Sequence, residues 1–131
     1  MTDIIEWADR LYSEGVDNKD AVMFADAFAD DGWLRFGNNP VITGRDNIRE
    51  AIAGFFTVFA SLRHQSAGTT LADGTLVLEA VVTYTLHGGG TVTVPACTIF
   101  GMRPGPGEPK AESCRIYVDL TPLFSAAQAG G

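Results

Sequence analysis

The chain has few of the residues that usually announce a mechanism. There are two cysteines and two histidines in 131 residues. Cys97 and Cys114 form neither a CxxC pair nor a metal-type cluster, which excludes a dithiol redox centre and a cysteine-built zinc site. They read as buried, reduced thiols, and the default setting is the cytoplasm. Basic side chains are scarce, nine against sixteen acidic ones, for a net charge of -7. Without a basic patch the chain is no partner for nucleic acid or an anionic membrane surface. No apolar run approaches the length of a membrane span. Met1-Thr2-Asp3 leads into an amphipathic, acidic segment rather than the basic start and apolar core of a signal peptide. The run Gly88-Gly89-Gly90 joins two strands and precedes no helix, so it is not a phosphate loop. Nothing in the sequence calls for a metal or a cofactor.

What is there is enough for one core. Hydrophobic residues make up 46% of the chain, and the length is that of one domain. The domain is expected over 1–124, followed by a frayed small-residue tail over 125–131.

Periodicity divides the domain in two. Thr2 can cap a first helix whose apolar stripe is Ile4, Ile5, Trp7, Ala8, Leu11 and Tyr12. Gly15-Val16-Asp17-Asn18 breaks it, and Asp17 or Asn18 can cap a second helix reaching Phe28, with Ala21, Phe24, Ala25 and Phe28 inward. A short strand follows over 33–36. Thr43 with Asp46 three residues later resembles a capping box, opening a third helix to about Phe59 with Ile48, Ala51, Ile52, Phe55, Phe56 and Phe59 on its apolar face. Beyond it, strands are expected over 63–71, 75–87, 91–102 and 112–119, joined by turns rich in glycine. Helices early and long antiparallel strands late imply an α+β fold, with three helices on one face of a curved antiparallel sheet.

The last strand alternates strictly. Arg115, Tyr117 and Asp119 fall on one side; Cys114, Ile116, Val118 and Leu120 fall on the other. Two further stretches matter beside it. Phe28-Ala29-Asp30-Asp31 resembles the F-A-x-D segment of the nuclear transport factor 2-like superfamily, also called SnoaL-like. Gly44-Arg45-Asp46, continuing through Glu50 to Ala53-Gly54-Phe55-Phe56-Thr57-Val58, is similar to the third-helix segment of its limonene-epoxide-hydrolase-like members. Arg115-x-Tyr117-x-Asp119-Leu120 resembles their closing strand, W-R-D-Y-F-D-L. The resemblance spans about 4–124. It implies a cone-shaped α+β fold with a blind, mostly apolar pocket between sheet and helices, and a homodimer formed by the outer face of the sheet. It does not imply one reaction, because this fold hosts isomerases, dehydratases, hydrolases, cyclases and non-enzymes.

The catalytic sets of that superfamily are mostly replaced. The epoxide-hydrolase pattern of an arginine between two aspartates falls on Ala80, Val82 and Ile116, and its water-holding Tyr and Asn fall on Leu34 and Phe36. None of these can donate or accept a proton as that route requires. In the ketosteroid isomerase pattern, the handing of a proton from carbon to carbon by an Asp base beside a Tyr and a protonated Asp, the tyrosine matches Tyr12. The base falls on Phe36, and the second acid falls near Thr98. A third pattern, of dehydratases and cyclases, uses a His–Asp pair or a lone Asp, and His64 stands where scytalone-dehydratase-like members carry a pocket histidine. Glu79 is the nearest carboxylate by strand pattern, but it alternates with Ala80 and so faces away.

The resulting expectation is a small hydrophobic ligand in an apolar pocket formed by Tyr12, Leu34, Phe36, Phe55, His64, Val82, Tyr84, Thr98 and Ile116. The rival is a cyclase, dehydratase or isomerase with His64 as base and Tyr12 as hydrogen-bond donor. An inward carboxylate beside His64 would decide between them. If Ile116 faces the pocket, Arg115, Tyr117 and Asp119 face the dimer interface, and Trp33 and Arg35, on the face opposite Leu34 and Phe36, make a cation–π or rim contact near it.

Overall fold

The computed structural model describes residues 3–130. Asp3 caps helix α1 (Ile4–Arg10), accepting from the backbone N–H groups of Ile5 and Glu6 at 2.7 and 3.3 Å. The cap expected at Thr2 lies outside the described residues. The helix then widens into a π turn (Leu11–Gly15), marked by the Val16 N–H donating to Leu11 O, and tightens into a 3₁₀ turn (Val16–Asn18). Lys19 ends this segment in the left-handed region, at φ 57°. Helix α2 (Ala21–Asp26) is capped by Asp20, whose carboxylate accepts from Met23 N at 3.0 Å. The cap is therefore neither Asp17 nor Asn18.

Strand β1 (Phe28–Phe36) is longer than expected. Phe28-Ala29-Asp30-Asp31 does not close a helix; it opens this strand, because Phe28 pairs with Ala111 across the sheet and its ring is fully buried. Strand β2 (Ile42–Thr43) is a short edge pairing missed in the sequence. Helix α3 (Arg45–Phe56) starts from Gly44, whose φ of 91° suits glycine, and no side chain caps it. The capping box at Thr43 does not form. Instead Arg45 fixes the entry: its guanidinium donates from Nε to Phe28 O at 2.6 Å and meets Asp30 at 2.8 Å. Ile48, Ile52 and Phe56 form the buried stripe, while Ala51 is exposed.

Strands β3 (Ser61–Thr70), β4 (Leu76–Thr85), β5 (Thr91–Arg103) and β6 (Lys110–Val118) run antiparallel to one another, in the order β2-β1-β6-β5-β4-β3 across one sheet. The sheet is mixed, not wholly antiparallel, because β1 lies parallel to β6. A register shift at Gly101 and Met102 interrupts the β5–β6 ladder, and such shifts bend and twist a sheet. Helix α4 (Thr121–Gln128) follows, and Leu123 in it is fully buried. Residues 125–128, expected as a frayed tail, are its second half.

One apolar core fills the space between the helices and the inner face of the sheet, built around Trp7, Phe24, Phe28, Ile48, Phe59 and Phe100. Among the described residues no helix is long and apolar enough to cross a membrane.

Candidate functional site

Alternation along β3–β6 decides what reaches the inside of the sheet. On β3 the inward series passes through Leu62, His64 and Ser66, and on β4 through Leu78, Ala80, Val82 and Tyr84. On β5 it passes through Ala96 and Thr98, and on β6 through Ile116 and Val118. The helices close the other side with Tyr12, Val16, Phe24, Ile52, Phe55 and Phe56, and Phe36 completes the wall from β1. Between them is a cavity of about 50 Å³.

Of the residues singled out in the sequence, Tyr12, Phe36, Phe55, His64, Val82, Tyr84, Thr98 and Ile116 line this cavity. Leu34 does not. It shares a face with Phe36, but it is fully buried in the core between its neighbours Ile42 and Cys114 on β2 and β6. Glu79 is exposed on the outer face of the sheet.

The carboxylate missing from the sequence reading is Asp17. Its Oδ1 lies 2.7 Å from His64 Nδ1, and its Oδ2 accepts from His64 N at 3.1 Å. Both oxygens therefore hold one residue, fixing the imidazole in rotation as well as position. A carboxylate only accepts, so Nδ1 carries the proton of this contact. The side chains of His64 and Asp17 are only 13% and 18% exposed, so water screens their interaction little.

Local backbone geometry makes this contact. Tyr12 and Asp17 are five residues apart, and in a regular α-helix they would point in different directions. The π turn and the 3₁₀ turn that follows it replace that regular geometry, and Tyr12 from the first and Asp17 from the second both meet His64. The Tyr12 ring packs against the imidazole, with centroids 4.7 Å apart. Lys19 secures the segment from the far side, donating from Nζ to Phe59 O at 2.9 Å and Ala60 O at 3.3 Å, just ahead of β3.

Burial pushes the Tyr12 hydroxyl well above the ordinary tyrosine range, as do the neighbouring Cys114, Asp17 and Tyr84, while a hydrogen bond with Thr98 partly opposes the shift. Burial alone raises Tyr84 in the same direction. Both tyrosines therefore stay protonated. The Cys114 thiol is raised by burial as well. Cys97, expected to be buried, is only half-buried, on the outer face. Among the described residues no group of three or more His, Cys, Asp or Glu side chains could hold a metal ion.

Arg115, Tyr117 and Asp119 lie on the strand parity opposite Cys114 and Ile116. Tyr117 is 46% exposed. Arg35 reaches it rather than Trp33: Nη2 donates to Tyr117 Oη at 3.0 Å, and the guanidinium lies 5.8 Å from the ring centroid. Asp119 accepts from Thr121 N at 2.9 Å, which with the Thr121 side chain keeps its carboxyl below the usual range.

Comparison with known proteins agrees with this geometry. No curated protein matches the sequence. Several solved structures share the fold. A protein provisionally described as a SnoaL-like polyketide cyclase, from Jannaschia sp. CCS1, superposes with a TM-score of 0.79 at 22% identity, over 95% of this chain and 91% of its own. A ketosteroid-isomerase-like protein from Catenulispora acidiphila, in complex with trimethylamine, gives 0.73 at 20% identity, over 95% and 91%. TerC, co-crystallised with polyporic acid, gives 0.75 at 20% identity, over 95% and 97%. At these identities the likeness is one of fold. The family model of the SnoaL-like domain matches residues 8–105, and the chain belongs to the SnoaL-like domain family.

Proposed function

We propose that the protein is an acid–base enzyme acting on a small, mostly apolar carbonyl compound, within the isomerase, dehydratase and cyclase class. The observation that carries this reading is the Asp17 carboxylate on His64 Nδ1 at the wall of an otherwise largely apolar cavity. His64 Nε2 takes a proton from the carbon next to the substrate carbonyl. The electron pair of that C–H bond moves to the carbonyl oxygen, and the Tyr12 hydroxyl donates to the resulting enolate. The protonated imidazole then returns its proton to carbon, or to a leaving hydroxyl. Asp17 touches no substrate; it sets the tautomer and stabilises the imidazolium. Burial supports the role of Tyr12, because it keeps the hydroxyl protonated as a donor.

Binding without turnover is the second reading, favoured by the apolar walls. It ranks behind because a ligand store has no use for a shielded carboxylate that fixes one imidazole. The structural neighbours fit either reading, one being provisionally described as a polyketide cyclase and another co-crystallised with polyporic acid. For the assembly, we read the outer sheet face with Arg115, Tyr117 and Asp119 as the interface of a homodimer, supported by the exposure of Tyr117 and Val81 there.

The test is hydrogen–deuterium exchange at the carbon next to the carbonyl of small cyclic ketones in D₂O, followed by proton NMR. The protein should accelerate exchange. His64→Gln should abolish the acceleration, and Asp17→Asn should reduce it by about 10²-fold, the scale of a positioned general base. Ketone binding with no accelerated exchange would leave only the second reading.

A further inference from the structure

We infer that the ligand of this cavity carries two oxygen atoms and that Tyr84 takes the second, its hydroxyl donating one hydrogen bond to an uncharged hydroxyl, ether or carbonyl oxygen. The first oxygen, the carbonyl placed at Tyr12, rests on the proton-transfer reading above. The second stands on Tyr84 itself.

The polar groups of the wall differ in what already holds them. His64 has Nδ1 on Asp17. The hydroxyls of Tyr12 and Thr98 are hydrogen-bonded to each other. Ser66, on the edge strand, is exposed. Tyr84 is unlike all of these. It is only 3% exposed, and burial acts on it with no hydrogen bond beside it. The side chains around it offer none. Its ring packs edge-on against Phe59 at 4.9 Å and Phe55 at 6.1 Å, and its cross-strand neighbours are Leu62 and Val92. Yet among the described residues no fully enclosed side-chain nitrogen or oxygen lacks a partner. The Tyr84 hydroxyl is therefore not sealed in protein; it opens on the cavity that Tyr84 lines. A hydroxyl taken this far from bulk water and left unpaired costs stability unless something in the cavity meets it.

A second oxygen, rather than the first, is what it reaches. Thr98, which holds the Tyr12 hydroxyl, pairs with Leu78 across the sheet, and Tyr84 lies three inward positions farther along β4. The two tyrosines share no ring neighbour, since Tyr12 packs on His64 and Phe100. They still face one space, because Tyr84 is close enough to add to the rise of Tyr12. An oxygen held at Tyr12 thus leaves Tyr84 unmet. No lysine or arginine lines the cavity among the described residues, so an anion would exchange its water for a phenol alone, and the second oxygen is uncharged.

The experiment titrates the whole chain, by ligand-observed NMR, with 2-hexanone and 2-octanone and with their two-oxygen counterparts 2,5-hexanedione and 2,7-octanedione, whose flexible chains cover a range of oxygen spacings. Tyr84→Phe keeps the ring and removes the hydroxyl. It should weaken at least one diketone by roughly three- to tenfold, the worth of one neutral hydrogen bond, and leave the monoketones unchanged. Tyr12→Phe should weaken both kinds alike. At neutral pH the urea midpoint of Tyr84→Phe should not fall, because no hydrogen bond within the protein is lost. Equal weakening of both kinds by Tyr84→Phe would put Tyr84 on the first oxygen or in the packing alone. Weakening of neither would make it a wall tyrosine that meets only water, and a lower midpoint would give its hydroxyl a partner in the protein. Each of these overturns the inference, as does failure of every ketone to bind. Hydrogen–deuterium exchange on the same samples keeps the two proposals apart: a Tyr84-dependent hold on diketones without accelerated exchange removes the base and leaves the second oxygen, and accelerated exchange with both kinds weakened alike does the reverse.

Discussion

At the residue scale, the buried acids of the core fix how the protein responds to alkali. Burial holds Tyr12 and Tyr84 protonated well past the ordinary tyrosine value of 10.0, and Cys114 past the ordinary thiol value of 9.0. Above those values the unfolded chain releases protons that the folded chain retains. The unfolded state then binds fewer protons, so stability falls as pH rises. The contribution of these groups is fully present below pH 9.0 and declines above it. The urea midpoint should drop between about pH 9 and 11, and Tyr12→Phe should remove part of the drop. A midpoint that rises over that range would contradict the burial of these hydroxyls. Asp17 belongs to this scale too, and its place beside His64 could not be read. An aspartate after Gly15-Val16 has the look of a helix cap, and the true cap, Asp20, stands only three residues further on. The parity of β3–β6, by contrast, was readable because period-two alternation assigns a face to every residue at once. It put His64, Val82, Tyr84, Thr98 and Ile116 on the cavity side, where they are.

At the element scale, the informative departure is the π turn Leu11–Gly15. Helical periodicity placed Tyr12 on an inward stripe but had no means of showing that the next turn would widen. That widening depends on what the segment packs against. Gly15 sits close under Met23 of α2: a Cβ there would lie 3.2 Å from the Met23 sulfur. Gly15→Val should therefore push the turn off α2 and draw Asp17 away from His64, at a stability loss of about 1–3 kcal/mol typical of overpacking. The check is the ring nitrogen shifts of His64 by NMR, read beside the urea midpoint. Unchanged shifts in a destabilised variant would mean that the turn and the His64–Asp17 contact are independent. The other misread boundary has a similar cause. Phe28-Ala29-Asp30-Asp31 continues a helical pattern locally, but pairing with β6 draws it into the sheet, and such pairing with a strand some eighty residues away leaves no local mark.

At the scale of the whole molecule, the order of early helices and late strands was enough to give the α+β class, because layers follow from which faces are apolar. What it lacked was the parallel β1–β6 pair, a connection between the two ends of the domain. The proposed homodimer is also tested at this scale. Arg115→Ala should weaken self-association by roughly tenfold, a typical effect for a charged interface residue, and sedimentation velocity over a concentration series reads it directly. A profile that is monomeric at every concentration would remove the interface. The β1–β6 pairing also bears on how the protein is made. Phe36 and Ile116 face each other across that junction, so two walls of the cavity come together only after nearly all of the domain has left the ribosome. Until then β1 has one long edge bare, open to any passing strand, and such distant pairing is slow to find. The site is thus among the last parts of the newborn chain to take shape, and a chain cut short before β6 would have Tyr12, Asp17 and His64 in hand with no closed chamber in which to use them.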